Sequence, residues 1–441
     1  MYSQYKKSGL EWFGDIPNHW EVVSLKKNLE NIIDYRGKTP TKVDSGIFLV
    51  TAKNIQNGSI QYEKSKEYVI PSEYSNIMSR GTPKIGDVLL TTEAPLGEVA
   101  NVDCSDIALA QRIIKLRGNS KLNNYFLKYF LLSDAFTQYL NTFATGSTAL
   151  GIKGSKISML KIILPPFEEQ KKIINFLNQK TAEIDALIAD KERLIELLEE
   201  KRQAVITETI TKGLDSNVKM KDSGVEWIGE VPEHWEVKKM KYLFNIKKRI
   251  EGLDNPQILS VTQKGIKVKD ISTNEGQLAA NYDKYQTVDP GDFVMNHMDL
   301  LTGFIDVSIF YGVTSPDYRV FKITNENYNK DYFLYYFQMC YYLRIFYKFG
   351  QGVASFGRWR LSTDEFNSFP IPIPSVKEQR EIIEFINNNE EYSKDMIKDT
   401  KETINKLKEY RQSIIYEAVT GKIDVSDHDV PVESDPEEVS Q

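Results

Sequence analysis

Gly37-Lys38-Thr39 carries the residue types that close a phosphate-binding P-loop, a glycine turn followed by a lysine and a hydroxyl. That loop also needs a glycine five residues before Gly37, where Ile32 stands, so the phosphate cradle is missing. Leu164-Pro165-Pro166-Phe167 has the outline of the loop that holds a target amino group in amino-methyltransferases. Its first position must be Asn or Asp, and Leu164 has no polar atom to offer. Gly350-x-Gly352 meets Ser355 where a dinucleotide fingerprint has its third glycine. Pro316-Asp317 begins like a nuclease motif, yet no Glu-x-Lys follows it. Four histidines and two cysteines, scattered along the chain, offer no metal-ligand spacing. Each enzymatic reading fails at a named residue.

What remains is a set of basic and polar loops. Tyr35-Arg36-Gly37-Lys38-Thr39-Pro40 puts two cations and a hydroxyl on one turn. Residues 146–156 form a glycine-rich loop with Ser147, Thr148, Lys153 and Lys156. Residues 350–360 make a second such loop with Gln351, Arg358 and Arg360. Backbone N–H groups and cations in such loops suit phosphate contact, and Arg or Gln can read base edges. An ordinary solvated loop explains any one of these residues equally well; their occurrence at matching places in two halves of the chain favours function.

The elements that must hold these loops are long. From 165 to 212 the chain is apolar at heptad spacing, with Leu177, Ile184, Leu198 and Val205 on one seam and Ile173, Leu187 and Leu194 on the other. Prolines precede this stretch and Gly213 follows it, as at helix starts and ends. Such a helix would measure roughly 60 Å at about 1.5 Å per residue. A second copy lies 209 residues on: Glu169-Gln170 returns as Glu378-Gln379, Ile173-Ile174 as Ile382-Ile383, and Arg202-Gln203 as Arg411-Gln412. Two matched stripes in one chain predict an antiparallel pair.

The lead-in to each half repeats as well. Ser8-Gly9, Glu11-Trp12, Gly14, Pro17 and His19-Trp20-Glu21-Val22 recur 215 residues later, from Ser223-Gly224 to His234-Trp235-Glu236-Val237. Repetition of both tryptophans marks a duplication. His19 and His234 read as structural, since no acid–nucleophile pattern surrounds either. Residues 22–163 and 238–372 then form two globular units of mixed strands and helices. Buried strands are predicted at 47–51 and 87–92, and an aromatic helix at 121–139. Gly86-Asp87 matches Gly291-Asp292, Arg112 matches Arg319, and Tyr125-Phe126 matches Tyr332-Phe333. The aromatic stripes read as core rather than as base-stacking platforms.

At 441 residues the chain exceeds one core, so two or more domains are expected. No apolar run approaches the ~18 residues of a membrane span, no export signal leads the chain, and Cys104 and Cys340 alone suggest a reducing, cytoplasmic setting. The net charge of −6 is carried by the tail 422–441, which holds one lysine against seven acids and reads as disordered. The body is balanced to mildly basic, which permits contact with nucleic acid.

Glu11-Trp12-x-Gly14-x-Ile16-Pro17-x-His19-Trp20, Arg36-Gly37-Lys38-Thr39-Pro40 and Pro165-Pro166-x-Glu168-Glu169-Gln170 carry a resemblance. With 181–187, 200–203 and the echo of the whole arrangement in the second half, the chain resembles the specificity subunit of type I restriction–modification systems over residues 8–421. The resemblance implies an α+β fold: two target-recognition domains of mixed strands and helices, separated by two long antiparallel coiled-coil helices in a pseudo-twofold repeat. The expected divisions are 1–163 and 214–373 for the recognition domains with their lead-in segments, 164–213 and 374–421 for the spacer helices, and 422–441 for the tail. It implies no catalysis by this chain. Double-stranded DNA, two methyltransferase (M) subunits and, through them, restriction (R) subunits would be its partners. S-adenosylmethionine, ATP and Mg2+ would belong to those partners. The candidate DNA contacts are Arg36, Lys38, Thr39, Arg112, Ser147, Thr148, Lys153 and Lys156 in the first unit. In the second they are Lys248, Arg249, Arg319, Gln351, Arg358 and Arg360; that unit offers Lys247-Lys248-Arg249 in place of a clear Arg-Gly-Lys-Thr-Pro. The alternatives are a coiled-coil scaffold that reads no DNA and a fused methyltransferase–specificity enzyme, which would need the cofactor and amino-group motifs missing here.

Overall fold

The computed structural model describes Tyr2 and residues 4–35, 40–146, 150–270, 281–352 and 359–425. Two long helices, Phe167–Lys212 and Val376–Val419, dominate it. Gly213 and Gly421, at φ +79° and +71°, end them in the left-handed conformation that costs glycine little. Contacts divide the chain into two compact units, one of Met1–Glu192 with the chain from Lys401 onward, the other of Arg193–Thr400. The division cuts each long helix, because opposite ends of the two helices belong to the same core.

In the first unit Ile173, Leu177 and Ile184 of one helix share a core with Ile414, Ile415 and Ala418 of the other. Arg411 donates to Asp185 at 2.8 Å, while Gly421 packs on Trp20, whose indole binds Glu169. The pairing is therefore antiparallel. In the second unit Ile206 and Ile210 join Ile382, Ile383 and Ile386 in the same way.

Each unit sandwiches one sheet between helices and a second sheet. The first unit's sheet runs 96–101, 88–92, 113–118, 29–34, all antiparallel. The second unit repeats the order with 305–307, 293–295, 319–323, 244–247. Val88, Leu90, Ile114 and Leu116 face the helices, as alternation along a strand requires. Leu89 and Ile113 face the second sheet. The second sheets differ more. Both hold a parallel pair, Ile107–Leu109 beside Ile47–Val50 and Gly312–Thr314 beside Ile258–Thr262, but the flanking strands do not correspond.

The predicted strands at 47–51 and 87–92 are present as Ile47–Val50 and Val88–Thr92. The aromatic helix predicted over 121–139 is two helices, Asn124–Leu132 and Asp134–Asn141. Ser133 is extended and its hydroxyl accepts from Phe136 N, so it caps the second helix and breaks the first. Phe126, Tyr129 and Phe130, like Tyr332, Phe333, Tyr336 and Phe337, are buried core.

The repeated residues explain themselves as a frame. Glu169 accepts from Trp20 Nε1 at 2.9 Å, bonds His19 Nε2 at 2.7 Å and accepts from Tyr2. Glu378 does the same for Trp235, at 2.9 Å, and His234, at 3.0 Å. Next to it, fully buried Gln170 caps the Pro165 carbonyl, receives Asn123 N and donates to Lys121 O. Gln379 repeats this with Pro374 and Asn329. One Glu-Gln pair thus ties lead-in, aromatic helix and long helix together in each unit.

Candidate nucleic-acid interface

Sheet register decides which loops meet. Asp34 pairs with Ile114, and Thr91 with Ile113. The chain therefore leaves one end of the first sheet at Tyr35, enters there at Arg112 and leaves again after Thr92. The glycine-rich loop closes on the same end: Thr145 pairs with Gly151, Gly151 with Glu93, and Ile152 N donates to Thr92 O at 2.9 Å. In the second unit Lys247 pairs with Val320 and Met295 with Arg319, so Lys248, Asn296 and Arg319 lie at the equivalent end. There Gln351 pairs with Arg360 and Gly352 with Trp359, and Leu361 N donates to His297 O at 3.0 Å. Both units gather their polar loops at one sheet end.

Most of the sequence candidates among the described residues fall there. Arg112, held at φ +77°, is about half exposed and ion-paired with Glu93 at 2.8 Å. Lys153 is exposed at the start of the short helix Gly154–Ile157, with Lys156 exposed one turn on. Lys248, Gln351 and Arg360 are exposed in the second unit. Arg36, Lys38, Thr39, Ser147, Thr148 and Arg358 lie outside the described residues.

Two candidates are engaged by the fold instead. Arg249 is bound to Asp289 at 2.5 Å, beside Lys247. Arg319 is a correction: it is 4% exposed, not a surface cation. Its Nη2 donates to Leu361 O at 3.2 Å and Thr363 Oγ1 at 3.3 Å, and its guanidinium lies 4.5 Å from the Phe366 ring centre. The reason is register. Leu116 and Phe321 each stand 29 residues after Asp87 and Asp292, and each pairs with the strand residue that follows its aspartate. Arg319, 27 residues on, therefore matches Ile114, a core position, and not Arg112 at 25. Burial, with Arg360 nearby, lowers the Arg319 pKa to about 10.

The same counting exposes a residue that pattern reading passed over. His297 stands where the first unit has Thr92, five residues after the aspartate. Burial, then the charges of Arg319 and Arg360, lower its pKa to about 3, so the imidazole is neutral. Gly350 and Gly352 prove to be seats for an aromatic: a Cβ on either would come within 2.2 or 2.3 Å of the Trp359 ring. Trp359 stacks on Tyr347 at 5.0 Å and donates to its carbonyl.

Away from this end, the aspartate itself anchors a charge cluster. Asp87, 1% exposed, accepts from Lys115 at 2.9 Å and from Arg117 at 2.6 and 2.8 Å. Burial alone would raise its pKa, but the bonds from Arg117 and Lys115 outweigh that and hold it low. Asp292 is served by Lys247 at 2.7 Å. Lys115 faces Ile33 across the sheet, and Lys247 faces Val320. Lysine and aliphatic have exchanged strands around an aspartate that stays.

Among the described residues no group of three or more His, Cys, Asp or Glu is arranged to hold a metal, and no helix is long and apolar enough to cross a membrane.

An α+β chain in which a two-sheet unit occurs twice, each copy packed on ends of two long helices, defines a recognisable class. The type I restriction modification DNA specificity domain matches residues 17–197 and again 232–406, and the chain belongs to that family as a type I specificity subunit. The putative type I restriction enzyme MjaX specificity subunit of Methanocaldococcus jannaschii is 26% identical over 431 residues, covering 93% of this chain and 95% of its own. The EcoKI specificity subunit of Escherichia coli K12 is 21% identical, at 93% and 90% coverage. A solved chain from work on complex assembly and conformational transition of the type I R-M system superposes with a TM-score of 0.67 at 16% identity, over 92% of this chain and 99% of that one. The HsdS subunit from Thermoanaerobacter tengcongensis gives 0.51 at 17% identity, over 92% and 98%.

Proposed function

We propose that each unit reads one half of a split, asymmetric site on double-stranded DNA through the loops at the shared sheet end. The single observation behind this reading is that both units bring their cations and glycine-rich loops to the same end of equivalent sheets, while the frame residues repeat unchanged. Arg112, Lys153 and Lys156 serve the first half-site; Lys248, Gln351 and Arg360 serve the second. Arg36, Lys38, Thr39, Ser147, Thr148 and Arg358 join them from adjacent stretches of sequence. The chain performs no chemistry. It directs two M subunits, and R subunits through them, and those partners carry S-adenosylmethionine, ATP and Mg2+. The doubled frame supports two copies of one partner, and Leu187, Leu197, Phe385, Tyr392 and Tyr410 leave apolar surface on the long helices for them. Reconstitution with the cognate M subunit, followed by mapping of methylated DNA, tests this. A bipartite motif with an unread gap is expected. A continuous motif, or one unaffected by changes in this chain, would contradict the reading.

A further inference from the structure

The second unit places a guanidinium where the first has a core isoleucine. Arg319 stands at the register of Ile114, on the face whose other members, Phe321 and Ile323, are buried apolar core. Only one of its two terminal nitrogens is used. Nη2 bonds Leu361 O and Thr363 Oγ1, whereas Nη1 is buried with no hydrogen-bond partner among the described residues. His297, 7% exposed and at the register of Thr92, likewise has a buried Nδ1 without a partner. Arg360, close enough to act on both, is exposed on the hairpin strand beside Gln351. Among the described residues no ion pair involves Arg319 or Arg360. By contrast, the fully buried Lys115 sits on Asp87, and the partly buried Lys247 on Asp292.

A buried cation without a counter-ion is costly, by several kcal/mol after relaxation. A bound water would satisfy the two open nitrogens, but it would leave the charge of Arg319 and Arg360 unbalanced. An anion satisfies both requirements. Arg319 supplies half of the planar fork that grips a tetrahedral oxyanion, and exposed Arg360 directly precedes Leu361, which bonds both Arg319 and His297. The site lies at the loop-gathering end of the sheet.

We infer that Arg319, His297 and Arg360 form an anion site peculiar to the second unit that takes a phosphate group, and that the phosphate belongs to the DNA backbone. The source of the phosphate rests on the DNA-reading function proposed above; the site itself does not. Arg319 donates through Nη1, Arg360 closes over the outer oxygens, and His297 supplies the third polar contact through Nδ1. The first unit, with Ile114 and Thr92 at these registers, has no such site.

The test uses the full chain and the first unit's own residues, Arg319→Ile and His297→Thr, which an equivalent core already accommodates. Arg360→Ala, at an exposed position, serves as a variant that leaves the core untouched. Inorganic phosphate is titrated by calorimetry and thermal unfolding, at ionic strength matched with chloride. Wild type should bind one phosphate and gain Tm. Arg319→Ile should lose at least about tenfold in affinity and lose the Tm gain, with Arg360→Ala weaker by severalfold. The same variants are then assayed on DNA, where removal of one phosphate contact should flatten the salt dependence by roughly one unit of slope. Phosphate binding that survives both arginine changes would overturn the site. Lost phosphate binding with an unchanged DNA slope would overturn its assignment to DNA and leave a free-anion site. Absence of sequence-specific DNA binding in the wild type would instead defeat the proposed function while the phosphate titration still reads the site.

Discussion

Exchanging Lys115 and Ile33 in the first unit for the second unit's arrangement should expose how the buried charge cluster is built. Lys115→Val removes one charge-assisted bond to Asp87, worth about 1.5–3 kcal/mol. Asp87 keeps Arg117, at 2.6 and 2.8 Å, and the Lys84 amide at 2.9 Å, so the loss stops there. Ile33→Lys alone removes a half-buried isoleucine from the second-sheet core, at about 1–2 kcal/mol, and crowds Lys115 with a second cation. Together the changes recreate the valine–lysine cross-strand pair that delivers Lys247 to Asp292 at 2.7 Å. The double variant should therefore be more stable than the sum of its parts by about 1.5 kcal/mol or more. Urea unfolding followed by hydrogen exchange of the 113–118 amides reads this unit alone. Additivity to within about 0.5 kcal/mol would refute the claim that the two lysines occupy interchangeable registers.

Three further outcomes follow from the same contacts. Glu169→Ala strands the buried Trp20 indole N–H and should cost the first unit about 1–3 kcal/mol; Glu378→Ala should do the same to the second unit, each measured by chemical denaturation. Glu93→Gln releases Arg112 from an exposed ion pair, so stability should change by less than about 1 kcal/mol. DNA binding by that variant should tighten and its salt dependence steepen by roughly one unit of slope, read by fluorescence anisotropy. Lys128 has a pKa lowered to about 8 by burial and by the charge of Arg411. The unfolded chain therefore binds the proton more readily between about pH 8 and 10.5, and the penalty is complete below pH 8 and fades as pH rises. Lys128→Met should stabilise the first unit at pH 7 by no more than about 3 kcal/mol, an advantage over wild type that disappears near pH 10.5.

Much of this architecture is legible in the chain. The long helices, their caps and the duplicated frame follow from apolar spacing and from Trp20, Glu169 and Gln170 recurring at fixed offsets. The aromatic helices read correctly as core, but the Ser133-Asp134 cap inside the first was masked by the continuous aromatic stripe on either side. Matching Arg112 with Arg319 by residue type failed, because sheet position is set by pairing, and counting from Asp87 and Asp292 gives Ile114 instead. The lysine exchange between Lys115 and Lys247 involves strands far apart in sequence, so no local pattern announces it. Nor does sequence reveal that Glu93 neutralises Arg112 while Arg319 has no carboxylate against it among the described residues.

The most direct measurement is the methylated motif of a unit-exchange chimera. Residues 25–160 are replaced by the equivalent segment of a family member with a different specificity, leaving Trp20, Glu169, Gln170 and both long helices intact. The chimera is expressed with the M subunit and the modified DNA is sequenced. One half of the bipartite motif should change to that of the donor while the other half stays as it was. A change in both halves, or in neither with methylation retained, would contradict the assignment of one half-site to each unit.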